Sequence, residues 1–289
     1  MHQIGRTAIG TAIALKIAKS GYKKGSLNRS GSIAAFAVAA AAFSCSFRCG
    51  ATLICFYATG SKLTKVGAST KMKLEDDYAA EGDRGAKQVL ACSLFAVLCG
   101  ILRRIFVGVD SPLSMANFGY QGNRLTLAYV AFFACCAGDT WASELGVLAK
   151  QPPRLVTMPW RTVVPGTNGG VSLAGTLASA TGGAAMGLCH GLLLPLAPGQ
   201  WIRDTYMLTV VGLASGLFGS LLDSLLGATL QATYYDTKRR IVVKKKNSPN
   251  TENCGGWAFF SNEAVNVVST IATAVLAALW TPFILQSIS

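Results

Sequence analysis

Gly138 to Gly170 reads GDTWASELG, then VLAKQPPRLVTMPWRTVV, then PGTNGG. Long apolar segments rich in Gly and Ala lie on both sides of it. Asp139 and Glu144 stand at the margin of one of them, where a carboxylate is costly unless something pairs with it. Two readings fit these residues. In one, the stretch is a polar active site set into a membrane-spanning helical bundle. In the other, it is a re-entrant loop in which Asp139 caps one helix and Asn168 the next.

Composition decides the class. Hydrophobic residues make up 51% of the chain and charged residues 13%, and the mean hydropathy is +0.42. A soluble domain carries about 25% charged residues, so a soluble fold is excluded. The expectation is an all-α, polytopic integral membrane bundle forming a single domain over residues 1–289. The net charge is +13, from 26 Lys and Arg against 13 Asp and Glu. Cytoplasmic loops collect such residues as a topological signal, and binders of phosphates or anionic headgroups need them too. The topological reading accounts for most of the excess, and no nucleic-acid partner is expected. The nine Cys are scattered without a CxxC pair or a neighbouring His at metal spacing, so they read as small packing residues rather than a zinc site or disulfide framework.

Apolar segments at 4–17, 33–59, 89–102, 125–149, 171–196, 206–232 and 262–284 predict six or seven crossings of about 20 residues each. Arg48 and Gly50 interrupt the second, which reads as one tilted helix or two short ones. With seven crossings, the loops at 60–87, 150–161 and 238–246 share one side. The loops at 19–29 and 103–124 and Arg203 share the other. The first set is richer in Lys and Arg and is expected to be cytoplasmic.

Asp223 is the most informative single residue, because it lies inside the apolar run GLFGSLLDSLLGATLQ. Gly212, Gly216, Gly219 or Ser220, Asp223 and Gly227 share a helix face, which points Asp223 into the bundle. A structural hydrogen bond to a neighbouring helix is the alternative role for it. Gly170, Ala174, Ala178 and Gly182 are expected to line one face of the preceding span. Asp139, Glu144 and Asp223 lack a basic residue in their own helices. They stay protonated, lean on a loop cation, or hold a cation; several carboxylates with phosphate oxygens suit Mg²⁺. Asn168, Gly169 and Gly170 ahead of a helix offer backbone N–H groups to an anion. Lys62, Lys65 and Arg84 are candidate phosphate cations or ordinary loop charges. Asn262 and Asn266 begin a polar stripe with Ser269 and Thr273 that reads as helix packing or ligand contact. His190 reads as a core residue. Walker and Rossmann motifs are absent from the sequence.

GDTWASELG (138–146), PGTNGGVSLAGTLAS (165–179) and GSLLDSLLGATLQ (219–231) resemble the transmembrane protein 19 family. SLNRSG (26–31), SKLTK (61–65), GDRGAKQVLA (82–91) and NEAVN (262–266) match as well. Gly85 and Cys92 depart from the pattern, each standing where Asn is expected. The family includes the phytyl phosphate kinase of tocopherol synthesis. The resemblance therefore implies transfer of a terminal phosphate from CTP or another nucleoside triphosphate to an isoprenoid phosphate lipid, with Mg²⁺, in an endomembrane (ER) or plastid envelope. On that basis Asp139, Glu144 and Asp223 are the expected catalytic acids, with Asp139 and Asp223 on the metal. Lys62, Lys65, Arg84, Thr167, Asn168, Gly169, Gly170, Asn262 and Asn266 are the expected phosphate and nucleotide contacts. A transporter or ion pathway through Asp139 and Asp223, and a non-catalytic membrane scaffold, are the competing functions.

Overall fold

A computed structural model describes residues 2–74, 84–108, 113, 117–194, 197–243, 246 and 249–286. Glu75, Asp76, Asp77, Glu81 and Asp83, the acids expected in the most charged loop, lie outside the described residues. The helices are α1 (His2–Lys23), α2 (Arg29–Cys45), α3 (Phe47–Leu63), the single turn α4 (Ala68–Lys71), α5 (Ala86–Ala91), α6 (Leu94–Val107), α7 (Asn117–Gly146), α8 (Leu173–Leu192), α9 (Pro198–Leu230) and α10 (Asn262–Gln286). Among the described residues, three stretches are long and apolar enough to cross a membrane: Gln121–Gly146, Pro198–Leu230 and Asn262–Ile284. The shorter Arg29–Cys45 is also apolar.

The segment expected as the second crossing is a helical hairpin. Ser46 is extended, with φ −162° and ψ 160°, and its Oγ accepts from Cys49 N–H at 3.2 Å to start α3. The chain reverses there because Gly50 leaves room for the Phe43 ring, which a Cβ would strike. The hairpin brings Tyr57, near the end of α3, back to Ser26, 2.7 Å from hydroxyl to hydroxyl. Each arm has 17 residues, about 25 Å of helix at 1.5 Å per residue and short of the roughly 30 Å hydrocarbon core.

This reversal corrects the expected topology. The 19–29 loop was placed opposite the 60–87 loop, but Leu27 and Arg84 form a parallel bridge. Both basic loops therefore lie at one end of the bundle, and the charge asymmetry between the ends is larger than the sequence reading gave.

Two small sheets correct the all-α expectation. Between α7 and α8, β1 (Arg154–Leu155), β2 (Met158–Thr162) and β3 (Gly170–Val171) pair in the order β2-β1-β3. Between α9 and α10, β4 (Thr233–Asp236), β5 (Ile241–Val243) and β6 (Thr251–Gly255) pair in the order β5-β4-β6. Asp236 Oδ1 closes the β4–β5 turn by accepting from Lys238 and Arg239 N–H at 3.0 and 2.9 Å.

The core of the bundle is the crossing of α7, α8 and α9. A Cβ on Gly183 would lie against the Gly212 carbonyl, one on Gly187 against the Leu208 carbonyl, and one on Gly138 2.7 Å from the Gly216 carbonyl. Backbones thus touch directly, as small residues permit in lipid. On α8 the contact stripe is Gly175, Ser179, Gly183 and Gly187, not the expected Gly170–Ala174–Ala178–Gly182 series. Gly170 belongs to β3 and Ala174 is exposed, while Ala178 is buried and Gly182 packs on the Ala137 carbonyl and Trp141 of α7, so only the second half of that series lines a helix contact.

Candidate functional site

One cavity of about 1180 Å³ opens at the end where the two sheets lie. Asp139, Asp223, Arg84, Glu144, Thr167–Gly170, Asn262 and Asn266 line it together. Residues from α5, α7, α9, α10 and the α7–α8 loop thus meet although they are far apart in sequence.

Asp139 sits inside α7 and is not the cap of a helix. Its predecessor Gly138 rests on the α9 backbone, which fixes the height of the carboxylate against α9. Asp223 lies on α9 and is close enough to interact electrostatically with Asp139. Ser269 of α10 donates to Asp223 Oδ2 at 2.8 Å. The Asn266 amide, oriented by its hydrogen-bonding surroundings, donates to the same oxygen at 3.1 Å and to the Asn262 carbonyl at 3.2 Å. The polar stripe of α10 therefore holds Asp223 as well as packing the helix. Among the described residues no donor hydrogen-bonds the Asp139 carboxylate and no cation pairs with it.

Glu144 takes one of the expected alternatives and leans on a cation from the 60–87 loop. Lys71 of α4 ion-pairs with Glu144 Oε2, and its Nζ also donates to the Leu63 carbonyl at 3.1 Å. The Lys71 side chain is 1% exposed and that of Glu144 13%. Sequence reading missed this pair because Lys71 is one basic residue among several in a charged loop. Lys71→Ala removes a buried cation from the partly buried Glu144, and is expected to lower stability by about 1–3 kcal/mol. Thermal unfolding of the purified protein checks this, and an unchanged midpoint contradicts it.

The Thr167–Gly170 turn precedes α8 as expected, but Asn168 does not cap it. Ser172 is the cap of α8, accepting from Gly175 N–H at 3.1 Å. Asn168 N–H donates to Thr233 Oγ1 at 3.1 Å and Gly170 N–H to the Thr167 carbonyl at 2.9 Å. Two of the backbone donors expected to cradle an anion are thus spent within the fold. Gly169 has φ +76°, and a Cβ there would lie 2.8 Å from the Ser224 carbonyl. The turn is therefore pressed onto α9 one residue beyond Asp223.

Lys62 and Lys65 are exposed and stand outside the cavity lining, so the structure does not bring them to the acids. Their neighbours Ser61 and Thr64 instead hold Arg84. Lys246, Gln88 and Glu263 line the cavity and were missed as site residues; Gln88 and Glu263 carried a signal, their places in GDRGAKQVLA and NEAVN. His190 is buried, 3.0 Å from Thr52 Oγ1 and against Tyr129, in the role sequence reading assigned it.

The donor set suits a divalent cation held jointly with phosphates. Mg²⁺ needs one or two protein carboxylates, with water and phosphate oxygens completing its shell. Asp139 and Asp223 supply two, and a cation would give the Asp139 carboxylate the partner it lacks. Among the described residues there is no cluster of three or more metal-ligating side chains, and Glu144 is engaged by Lys71.

A mostly helical bundle with apolar crossings and acids gathered at one end defines an integral membrane protein with a polar cavity at one face. The chain belongs to the integral membrane protein DUF92 family, whose profile matches residues 12–274. It is similar to Protein PGR of Arabidopsis thaliana, 36% identical over 96% of this chain and 97% of that protein. An uncharacterized membrane protein of Methanocaldococcus jannaschii is 28% identical over 81% of this chain and 77% of its own. Protein VTE6, chloroplastic, of Arabidopsis thaliana is 23% identical over 80% of this chain and 58% of its own. No solved structure matches.

Proposed function

We propose that this protein is an isoprenoid phosphate kinase. It transfers the terminal phosphoryl group of CTP or a similar nucleoside triphosphate to a phytyl or polyprenyl monophosphate. The single observation that carries the proposal is the mixed lining of the cavity. Asp139, Asp223, Arg84, Asn168 and Asn266 share it with Ala14, Ile17, Val38, Leu53, Ile54 and Phe56 of α1–α3. An amphiphile with a phosphate head and an apolar tail fits that mixture. About 1180 Å³ exceeds the roughly 300–1,000 Å³ of a usual ligand pocket, which leaves room for two substrates. The resemblance of the Asp139 and Asp223 motifs to the transmembrane protein 19 family supports the same reading.

In this chemistry an oxygen of the acceptor phosphate bonds to the terminal phosphorus of the donor. The bridging P–O bond breaks, and the nucleoside diphosphate leaves with the electron pair. The acceptor is already an anion, so the residues need to position charges rather than remove a proton. Asp139 and Asp223 are the residues that would hold Mg²⁺, which supplies charge neutralisation for the phosphates when bound. Arg84 meets phosphate oxygens, and Asn266 keeps Asp223 oriented.

The test is diphosphate formation by purified protein given phytyl or farnesyl monophosphate, Mg²⁺ and each nucleoside triphosphate in turn. Absence of product with every donor and acceptor overturns the proposal. Lys62→Ala and Lys65→Ala are expected to change turnover by less than about threefold, since exposed charges outside the cavity are screened. A larger loss would return them to the site.

The reversal at Ser46 and the helix break at Cys92–Ser93 favour a second reading, a transporter, because discontinuous helices build many transport sites. Proteoliposome flux without nucleotide turnover would select it. On either reading, α1, α5–α6 and α8 add crossings to the three long helices, and the α2–α3 hairpin enters and returns to the same end. A plastid envelope is the membrane suggested by the relative whose name is chloroplastic.

A further inference from the structure

Arg84 is held by two other parts of the chain. Its backbone is fixed by the α1–α2 turn: Asn28 N–H donates to the Arg84 carbonyl at 3.2 Å, and Arg84 N–H to the Ser26 carbonyl at 3.4 Å. Ala86 N–H donates to Ser30 Oγ at 3.2 Å. Asn28 Oδ1 also accepts from Gly31 N–H at 2.9 Å, so the residue that caps α2 is the one that holds Arg84. Gly31 is required for this approach, because a Cβ there would strike the Arg84 carbonyl.

The side chain is fixed from the end of α3. Nη1 donates to Ser61 Oγ at 2.9 Å and Nη2 to Thr64 Oγ1 at 3.4 Å. Among the described residues no carboxylate ion-pairs with Arg84. Hydroxyls orient a guanidinium without neutralising it. The group has five N–H donors in a planar fork, so donors remain for a ligand, and Arg84 lines the cavity. A preset fork of this kind matches two oxygens of a phosphate, which a Lys ammonium does not.

We infer that Ser61, Thr64 and Asn28 are positioning residues for Arg84, and that the held guanidinium is the subsite for a phosphate or pyrophosphate group. The inference rests on the reading of the cavity as one for phosphorylated substrates. It gives the SLNRSG and SKLTK stretches a shared role, orienting one arginine, in place of direct phosphate contact by Lys62 and Lys65.

Titration calorimetry of the full-length protein in detergent, with inorganic pyrophosphate as the probe, tests it. Wild type binds. Ser61→Ala weakens binding about tenfold, the scale of a lost hydrogen bond to a charged group, and Ser61→Thr restores it. Arg84→Lys weakens binding although the charge is kept, and Lys65→Ala leaves it unchanged. A merely structural Ser61 would not give hydroxyl-dependent rescue at an unchanged unfolding midpoint. Should Ser61→Ala fail to fold, Thr64→Ala against Thr64→Ser gives the same comparison. Wild-type-like binding by the alanine variant, no rescue by the hydroxyl-bearing one, or no pyrophosphate binding by wild type overturns the inference. Pyrophosphate binding with this variant pattern, but without diphosphate product in the kinase assay, retains the Arg84 subsite and removes the kinase reading alone.

Discussion

Asp223→Asn is expected to lower diphosphate formation by at least about 100-fold, the scale on which single groups that stabilise developing charge act. The protein should remain folded. The amide keeps the shape of the side chain and still accepts from Ser269, which lies 2.8 Å from Oδ2. It also removes one of two neighbouring negative charges, and like charges held close in a poorly solvated site oppose each other. Stability should therefore hold or rise while turnover collapses. Asp139→Asn should behave alike, since the two acids face one cavity. Turnover assayed with phytyl monophosphate, beside thermal unfolding, separates the outcomes. Turnover within about threefold of wild type in both variants would be far below the loss expected of an electrostatic group, and would leave the scaffold reading standing.

Gly183→Ala is the second large expected effect. The added methyl would meet the Gly212 carbonyl and lie 2.8 Å from Gly216 Cα, all of it backbone. No side chain can rotate away, so α8 and α9 must separate, at a cost of about 1–3 kcal/mol for overpacking. The shift would also reach function. Gly216 of α9 supports Gly138, the residue before Asp139, so moving α9 changes the spacing of Asp139 and Asp223. Gly199→Ala, in the first turn of α9 with nothing within 4 Å of its added Cβ, is the control and should not lower stability. Equal unfolding midpoints for the two variants would contradict direct backbone contact at the crossing.

The site was legible where one residue was chemically out of place. Asp223 and Asp139 stood out because a carboxylate in an apolar run needs a reason, and that reason was local. The Lys71–Glu144 pair and the Arg84 frame were not legible. Each joins residues from separate elements, and nothing in a charged loop distinguishes the lysine that turns inward from those that stay in water. Lys62 and Lys65 stood out for the same charge and remain exposed. The Asn168–Gly170 turn was legible as the approach to α8, but not the fact that Ser172 caps that helix. Its N–H groups proved to be engaged with Thr233 and Thr167.

By itself the sequence determined that the chain is an integral membrane helical protein, and that acids from two of its helices must face inward. Both follow from the cost of placing charge in hydrocarbon, which is a property of composition and of position along one helix. Tertiary structure alone decided that the second apolar segment doubles back at Ser46, that the first basic loop joins the site end, and that Arg84 is held by hydroxyls from α3. Those outcomes depend on which surfaces meet, and a one-residue capping choice or a missing Cβ settles them across gaps of tens of residues.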